Sequence, residues 1–186
     1  MGKEWLDIVY NEKSSVKLKH HYKLWANKYD QDLINWGYAY PSQLKKIMSK
    51  DIKIKKNSKI LDAGCGTGLV AEVLGDMNFK NIVGLDYSMD MLKIAKDKKI
   101  YTRLIQESLN KKTSLRSNQF DIVLCTGVLT SGHVGSKAIN ELIRVTKNKG
   151  YLILSIAESI YEKLGFKDEI EKNKEQLSKI KISKPF

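Results

Sequence analysis

At 186 residues with a formal net charge of +12, from 33 basic against 21 acidic side chains, the chain has the length of one domain able to bury a core. It has no run of 18 apolar residues, which excludes a bilayer-spanning helix, and MGKEWL places Leu6 where a myristoylation signal needs Ser or Thr, with no secretory apolar stretch behind it. The two cysteines, Cys65 and Cys125, lie in different segments without metal-ligand spacing, so a reduced, cytoplasmic protein holding no metal is expected.

The basic excess does not by itself indicate nucleic acid. Only Arg103, Arg116 and Arg144 carry the planar guanidinium that phosphate and base recognition favour. The lysines fall in runs such as KDIKIKKNSK on helix faces and turns, a pattern of solvated faces.

In chain order, Val16, Leu18, Tyr22, Trp25 and Tyr29 recur at near-helical spacing and predict a helix over 16–29. That aromatic stripe suits a core face or a lid equally well. Pro41 opens a second helix at 42–50. KIL at 59–61 reads as a short buried strand, Leu69 to Asp76 as a helix, and NIVGLD at 81–86 as a second strand. Ser88 is a fitting N-cap for the helix MDMLKIAKDK, with Asp90 in its first turn where the dipole favours an acid. YTRLIQ at 101–106 and FDIVLCT at 120–126 are strands three and four. Lys137 to Lys147 is a helix, KNKG its exit, and YLILSI at 151–156 strand five. Short apolar strands alternating with helices predict an α/β fold with a parallel sheet covered on both faces. ESIYEKLGFKDEIEKNKEQLSK then reads as helix broken around Gly165, and Ile180 and Ile182 leave room for at most one further short strand.

The informative stretch is ILDAGCGTGLV, residues 60–70, where Asp62, Gly64, Gly66 and Gly68 form D-x-G-x-G-x-G at a strand-to-helix junction. Ligands of parallel α/β sheets bind beyond the strands' carboxyl ends. Glycine permits positive φ and close backbone approach there. Position 69 is Leu, so the dinucleotide fingerprint G-x-G-x-x-G is absent, and no Lys-Ser/Thr pair makes a P-loop. A second acid, Asp86, stands 18 residues beyond Gly68 at the end of strand two, where a carboxylate can take both hydroxyls of a ribose.

ILDAGCGTG, then IVGLDYSMDML, then FDIVLCTGVL resemble the Rossmann-like, class I S-adenosylmethionine-dependent methyltransferases. Within them, WANKYDQDLINWGYAYP and GVLTSGHVGSKAINELIRVTK are similar to the methyltransferase-like proteins of the Williams–Beuren region. The likeness spans roughly residues 20–170, and the run 60–95 is its most specific part. It implies a doubly wound parallel sheet and S-adenosyl-L-methionine as cofactor. Asp62 to Gly68, with Gly64, Cys65 and Gly66, would hold the methionine part. Asp86 would bind the ribose, and Tyr87 and Met91 would lie along the adenine. Glu107, Ser108 and Leu109 match the segment that reads the adenine edge, although the family commonly has Asp where Ser108 stands. Cys125 to Gly127 would face the sulfonium, and Tyr29 would cover the methionine end. Bland alternatives exist: Asp62 and Asp86 as turn caps, Tyr87 and Met91 as helix packing, Cys125 as a small buried residue.

Methyl transfer from a sulfonium expels a neutral thioether, so no acid is needed and the sequence reveals the cofactor better than the chemistry. His133, in TSGHVG after strand four, is the one candidate base, against a loop-ordering role. CTGV stands where an amino-methyltransferase would have Asn-Pro-Pro-Tyr. The expected function is methyl transfer to an unidentified small molecule. The alternatives are a non-catalytic cofactor-binding protein and, favoured only by charge, a nucleic-acid methyltransferase. One domain over 1–186 is expected: a helical segment at 1–57, a cofactor-binding core at 58–157, and a helix with a short tail at 158–186. The family's sheet closes with an antiparallel hairpin for which few residues remain after strand five. An open edge, and self-association through it, are therefore expected.

Overall fold

Five short runs rich in Ile, Leu and Val form strands because a parallel sheet buries both of its faces. In a computed structural model, which describes residues 14–50, 55–130 and 134–186 together with Trp5, Ile8, Val9, Glu12 and Ile52, they are β1 (Ile60–Ala63), β2 (Ile82–Asp86), β3 (Arg103–Gln106), β4 (Phe120–Leu129) and β5 (Thr146–Ile156). All pair in parallel, in the order β3-β2-β1-β4-β5. The chain therefore builds outward from β1 to β3 and then restarts on the other side of β1. The switch point lies between the carboxyl ends of β1 and β4, where open α/β sheets bind ligands. The expected α/β, Rossmann-like fold is present.

Period-two alternation divides the core between the two faces. Ile60, Ile82, Ile122 and Leu124 pack with Leu44 and Met48 of α2 (Tyr40–Lys50) and with Val70 and Leu74 of α3 (Leu69–Asp76). Leu61, Val83, Val123 and Cys125 face the other layer. There they meet Leu142 and Val145 of α5 (Ala138–Val145), and Phe166 of α7 (Phe166–Lys172). Between β2 and β3, α4 (Met89–Asp97) starts at Ser88, whose side chain accepts from the Met91 N–H at 3.4 Å.

Helix α1 (Ser15–Asn35) runs six residues further than the stripe to Tyr29 predicts. The reason is tertiary: Leu33 and Trp36 continue the inward face and pack with Trp25, Leu69 and Tyr87. Trp25 is 1% exposed, stacks on Trp5 at 6.0 Å, meets Tyr29 edge-on at 4.6 Å, and donates Nε1–H to Asp32 at 2.8 Å. That packing lays α1 across the glycine turn. Among the described residues no helix is long and apolar enough to cross a membrane.

Two boundaries differ from expectation on the β5 side. The helix expected to reach Lys147 stops at Val145, because Thr146 turns extended and pairs with Phe120. After the short α6 (Glu158–Tyr161), Gly165 at φ +72° starts α7, and only a 3-10 turn at Lys174–Gln176 comes after it. Ile180 and Ile182 are exposed coil, and no strand succeeds β5 among the described residues. β5 is thus an edge strand whose apolar residues are only half buried.

This packing generates one expected outcome. A Cβ at Gly84, mid-β2, would sit 2.7 Å from Leu104 Cδ2 and 2.9 Å from both Cys65 Sγ and Tyr101 Cε1. Gly84→Ala should destabilise by about 1–3 kcal/mol, read as a lowered melting temperature.

Candidate functional site

The glycine turn works through three positive-φ residues, Gly64 (+79°), Gly66 (+53°) and Gly68 (+87°). Gly64 and Cys65 both donate their N–H to the Leu85 carbonyl, at 2.7 and 3.0 Å, which staples the end of β1 to β2. The Gly68 N–H donates to Cys65 O at 2.8 Å, closing the turn before α3 begins at Leu69. A Cβ at Gly64 would lie 2.3 Å from Val128 Cγ2, so this glycine admits a neighbouring strand's side chain. Gly66 differs, since a Cβ there would meet nothing within 4 Å. Its face is open to a ligand.

Asp86 ends β2 and is 8% exposed. Its Oδ2 accepts from the Gly66 N–H at 2.9 Å and its Oδ1 from the Ser88 N–H at 2.8 Å. Burial raises its pKa, and those backbone donors oppose the rise. Each carboxylate oxygen has a second lone pair, so the group can still accept two hydrogen bonds. Asp62 lies on β1 at 2% exposure and accepts from the Tyr101 hydroxyl at 2.7 Å. Burial pushes its pKa up to about 6, with the Tyr101 bond opposing and the nearby Asp86 charge adding to the rise.

The cavity between the turn and α1 measures about 40 Å³. Tyr29, Leu33 and Tyr38 line it from above, Asp62 and residues 64–67 from below, Thr126 and Gly127 from β4. The structure thus brings together six of the predicted residues: Tyr29, Asp62, Gly64, Cys65, Gly66 and Gly127. Asp86 adjoins them through Gly66. Tyr87 instead packs beneath α1 with Trp25, Leu33 and Leu69, its hydroxyl buried without a partner. Burial, with the Asp86 charge adding, lifts that phenol above its usual range. Met91 is buried in α4.

The segment after β3 divides. Glu107 is held by Ser114, which donates its N–H at 2.8 Å and its hydroxyl at 2.5 Å. This carboxylate therefore closes a turn. Ser108 Oγ accepts from the Asn110 N–H at 3.2 Å. Leu109 lines a second, larger cleft of about 770 Å³, with Thr130, Val134 and the start of α5. Cys125 departs from the expectation that it faces the sulfonium: alternation along β4 turns its thiol into the opposite core, where it is wholly buried. His133 lies outside the described residues.

Several residues of the site carry no signal in the motifs. Asp30 on α1 accepts from the Thr67 hydroxyl and pairs with Lys98 at 2.5 Å, and Lys98 also reaches Glu72 at 3.1 Å. This group ties the cover to the turn and to the end of α4. Nothing local in the sequence marks it. Thr126, within the stretch Cys125 to Gly127 that the resemblance points to the sulfonium, shares one face of β4 with residues 122 and 124 by alternation. Its Oγ1 is buried and unpartnered, which costs about 1–3 kcal/mol unless a ligand satisfies it. The open Gly66 face, the spare lone pairs of Asp86 and this hydroxyl fit a ligand with a diol at one end and a polar or charged group at the other. The cavity is far below the ~300–1,000 Å³ of small-molecule pockets, so Tyr29, Leu33 and Tyr38 must shift to admit one.

Comparison with known proteins agrees with this geometry. The methyltransferase domain family matches residues 61–154. Methyltransferase-like protein 27 of Homo sapiens is 34% identical over 160 residues, covering 85% of this chain and 64% of its own length. Demethylmenaquinone methyltransferase of Renibacterium salmoninarum is 27% identical over 132 residues, covering 70% of this chain and 54% of its own. Of solved structures, an S-adenosylmethionine-dependent methyltransferase of Thermotoga maritima is similar at TM-score 0.57 and 27% identity, over 85% of this chain and 69% of that one. The chain spans less than two thirds of the length of these curated relatives.

The Asp62 environment yields a pH test. An acid whose folded-state pKa is raised to about 6, against ~3.9 unfolded, destabilises the fold once ionised. The cost is absent below pH ~4, grows to pH ~6 and is constant above. Asp62→Asn should therefore gain stability over wild type across that window, read from melting temperatures at matched pH. A constant difference between pH 4 and 7 would contradict the assignment.

Proposed function

This chain belongs to the methyltransferase domain family, and from that premise we propose that it binds S-adenosyl-L-methionine at the carboxyl ends of β1 and β2 and transfers the methyl group to a small-molecule acceptor. The observation that carries the reading is the Asp86 carboxylate, buried, anchored on the Gly66 and Ser88 N–H groups, and beside the open face of Gly66. Its remaining lone pairs suit the two ribose hydroxyls, and Gly66 lets the ligand's chain pass close to the backbone. Asp62, Cys65 and Thr67 floor the methionine end, and Tyr29, Leu33 and Tyr38 keep water from it.

When bound, the cofactor supplies a methyl group on a sulfonium whose leaving group is a neutral thioether. The protein's main task is then to align acceptor and methyl, for which orientation can supply ~7–11 kcal/mol of the barrier. The 770 Å³ cleft supports a small-molecule acceptor, being within the size range of such sites and lined by Thr130, four residues along from Thr126. The similarity to a demethylmenaquinone methyltransferase points the same way. His133 is the base this reading would use for an acceptor that binds protonated.

Calorimetry with S-adenosylhomocysteine tests the cofactor assignment. Wild type should bind in the micromolar range, and Asp86→Ala should weaken binding at least about tenfold, since bonds to a charged group contribute ~1.5–3 kcal/mol each. Equal affinities would refute the assignment. Binding without methyl transfer to any acceptor class would favour a non-catalytic cofactor-binding protein instead.

A further inference from the structure

The cleft of about 770 Å³ beside α5 has a lining rich in cations. Lys111 and Lys112 enter it from the loop after β3, and Lys137 from the residue before α5. Arg144 and Glu141 line it as well, but they cancel each other. Arg144 donates to Glu141 Oε2 at 2.7 Å and to Oε1 at 2.6 Å, and the Thr113 N–H donates to the same carboxylate at 2.8 Å. No carboxylate pairs with any of the three lysines among the described residues. All three are exposed, and they give the cleft three uncompensated positive charges.

The end of α5 is not what would hold an anion there. The N–H groups of Ala138, Ile139 and Asn140 already donate to the carbonyls of Gly135, Ser136 and Lys137, at 3.1, 3.0 and 3.2 Å. Another part of the wall is apolar: Leu109 is buried, Val134 half-buried, and Leu164 41% exposed. Lysine stems extend such a surface while their ammonium groups stay in water. A concave wall of one sign concentrates its field on an opposite charge. Among the described residues the lining has no aromatic side chain on which bases could stack. The pattern therefore favours a small molecule over a nucleic-acid strand.

We propose that this cleft selects an acceptor with an apolar body and an anionic group (carboxylate, sulfonate or phosphate) held by Lys111, Lys112 and Lys137. The inference rests on the reading that the cleft receives the methyl acceptor. The lysines position that molecule and take no part in the transfer, while its body lies along Leu109, Val134 and Leu164. A neutral analogue of the same shape keeps the apolar contacts and loses the charged ones.

Naphthoate and naphthamide, matched in body and different in charge, provide the test by ligand-observed NMR. The proteins compared are wild type and the triple variant Lys111→Gln, Lys112→Gln, Lys137→Gln. Wild type should bind the carboxylate about three- to tenfold more tightly than the amide, the range that exposed charge pairs supply. That preference should shrink as salt rises, and the variant should lack it. S-adenosylhomocysteine should bind both proteins alike, which separates this result from the cofactor assignment. Equal binding of the two probes to wild type, no saturable binding of naphthoate, or a preference that survives in the variant would overturn the proposal. So would a short RNA oligonucleotide that wild type binds, and the variant does not, where naphthoate binds neither. If wild type failed to bind S-adenosylhomocysteine, the cofactor reading would fall and the acceptor role of the cleft with it.

Discussion

The two hydrogen bonds that Asp86 accepts, from Gly66 and from Ser88, join the turn after β1 to the start of the helix after β2. A carboxylate buried this far would be costly without charge-assisted donors, and backbone N–H groups supply them. The turn can offer its N–H because Gly66 holds φ +53°. The helix can offer its own because Ser88 is extended and caps α4. If either conformation is removed, the carboxylate loses its position and the open face of Gly66 loses the acid beside it. The site therefore exists as a consequence of backbone geometry at two strand ends.

The exterior and the cavity carry opposite electrostatic character. The chain has a formal charge of +12, yet the ionisable groups lining the cavity are acidic, phenolic or thiol. Lysines lie mostly on solvated helix faces, and Lys98 enters the site's surroundings only as a bridge between Asp30 and Glu72. Asp62 and Asp86 are both desolvated, and the charge of Asp86 adds to the cost of ionising Asp62. A cationic ligand relieves that burden, and an anionic one would add to it.

The cover is joined to this site by aromatic packing and by one polar group. Trp25, Leu33 and Tyr87 share a cluster with Leu69, the first residue of α3, so the helix that starts at the glycine turn also anchors α1. Asp30 adds bonds to Thr67 and Lys98. Admission of a ligand then requires side-chain displacement along α1, while the parallel sheet beneath stays fixed by its register.

Much of this was legible from residue order. Alternation of short apolar strands with helices determined the α/β class, the span Leu69–Asp76 and the strand ending at Asp86, because burial on both faces and capping chemistry are local demands. The spacing of Asp62, Gly64, Gly66, Gly68 and Asp86 marked the ligand end of the sheet for the same reason: positive φ is a property of single residues. Alternation puts Thr126 and Cys125 on opposite faces of β4, but which face holds the cavity depends on the strand order, which places β4 beside β1. The grip of Asp30 on Thr67 and Lys98 joins residues 37 and 68 positions apart, and the packing of Trp36 depends on the same folded cover. That Glu107 accepts from Ser114 is likewise not written locally, since only the path of the chain after β3 decides what its carboxylate meets. Local conformation was written in the residues; which side chains converge across the sheet was decided by tertiary packing, where distant segments compete for the same donors and the same space.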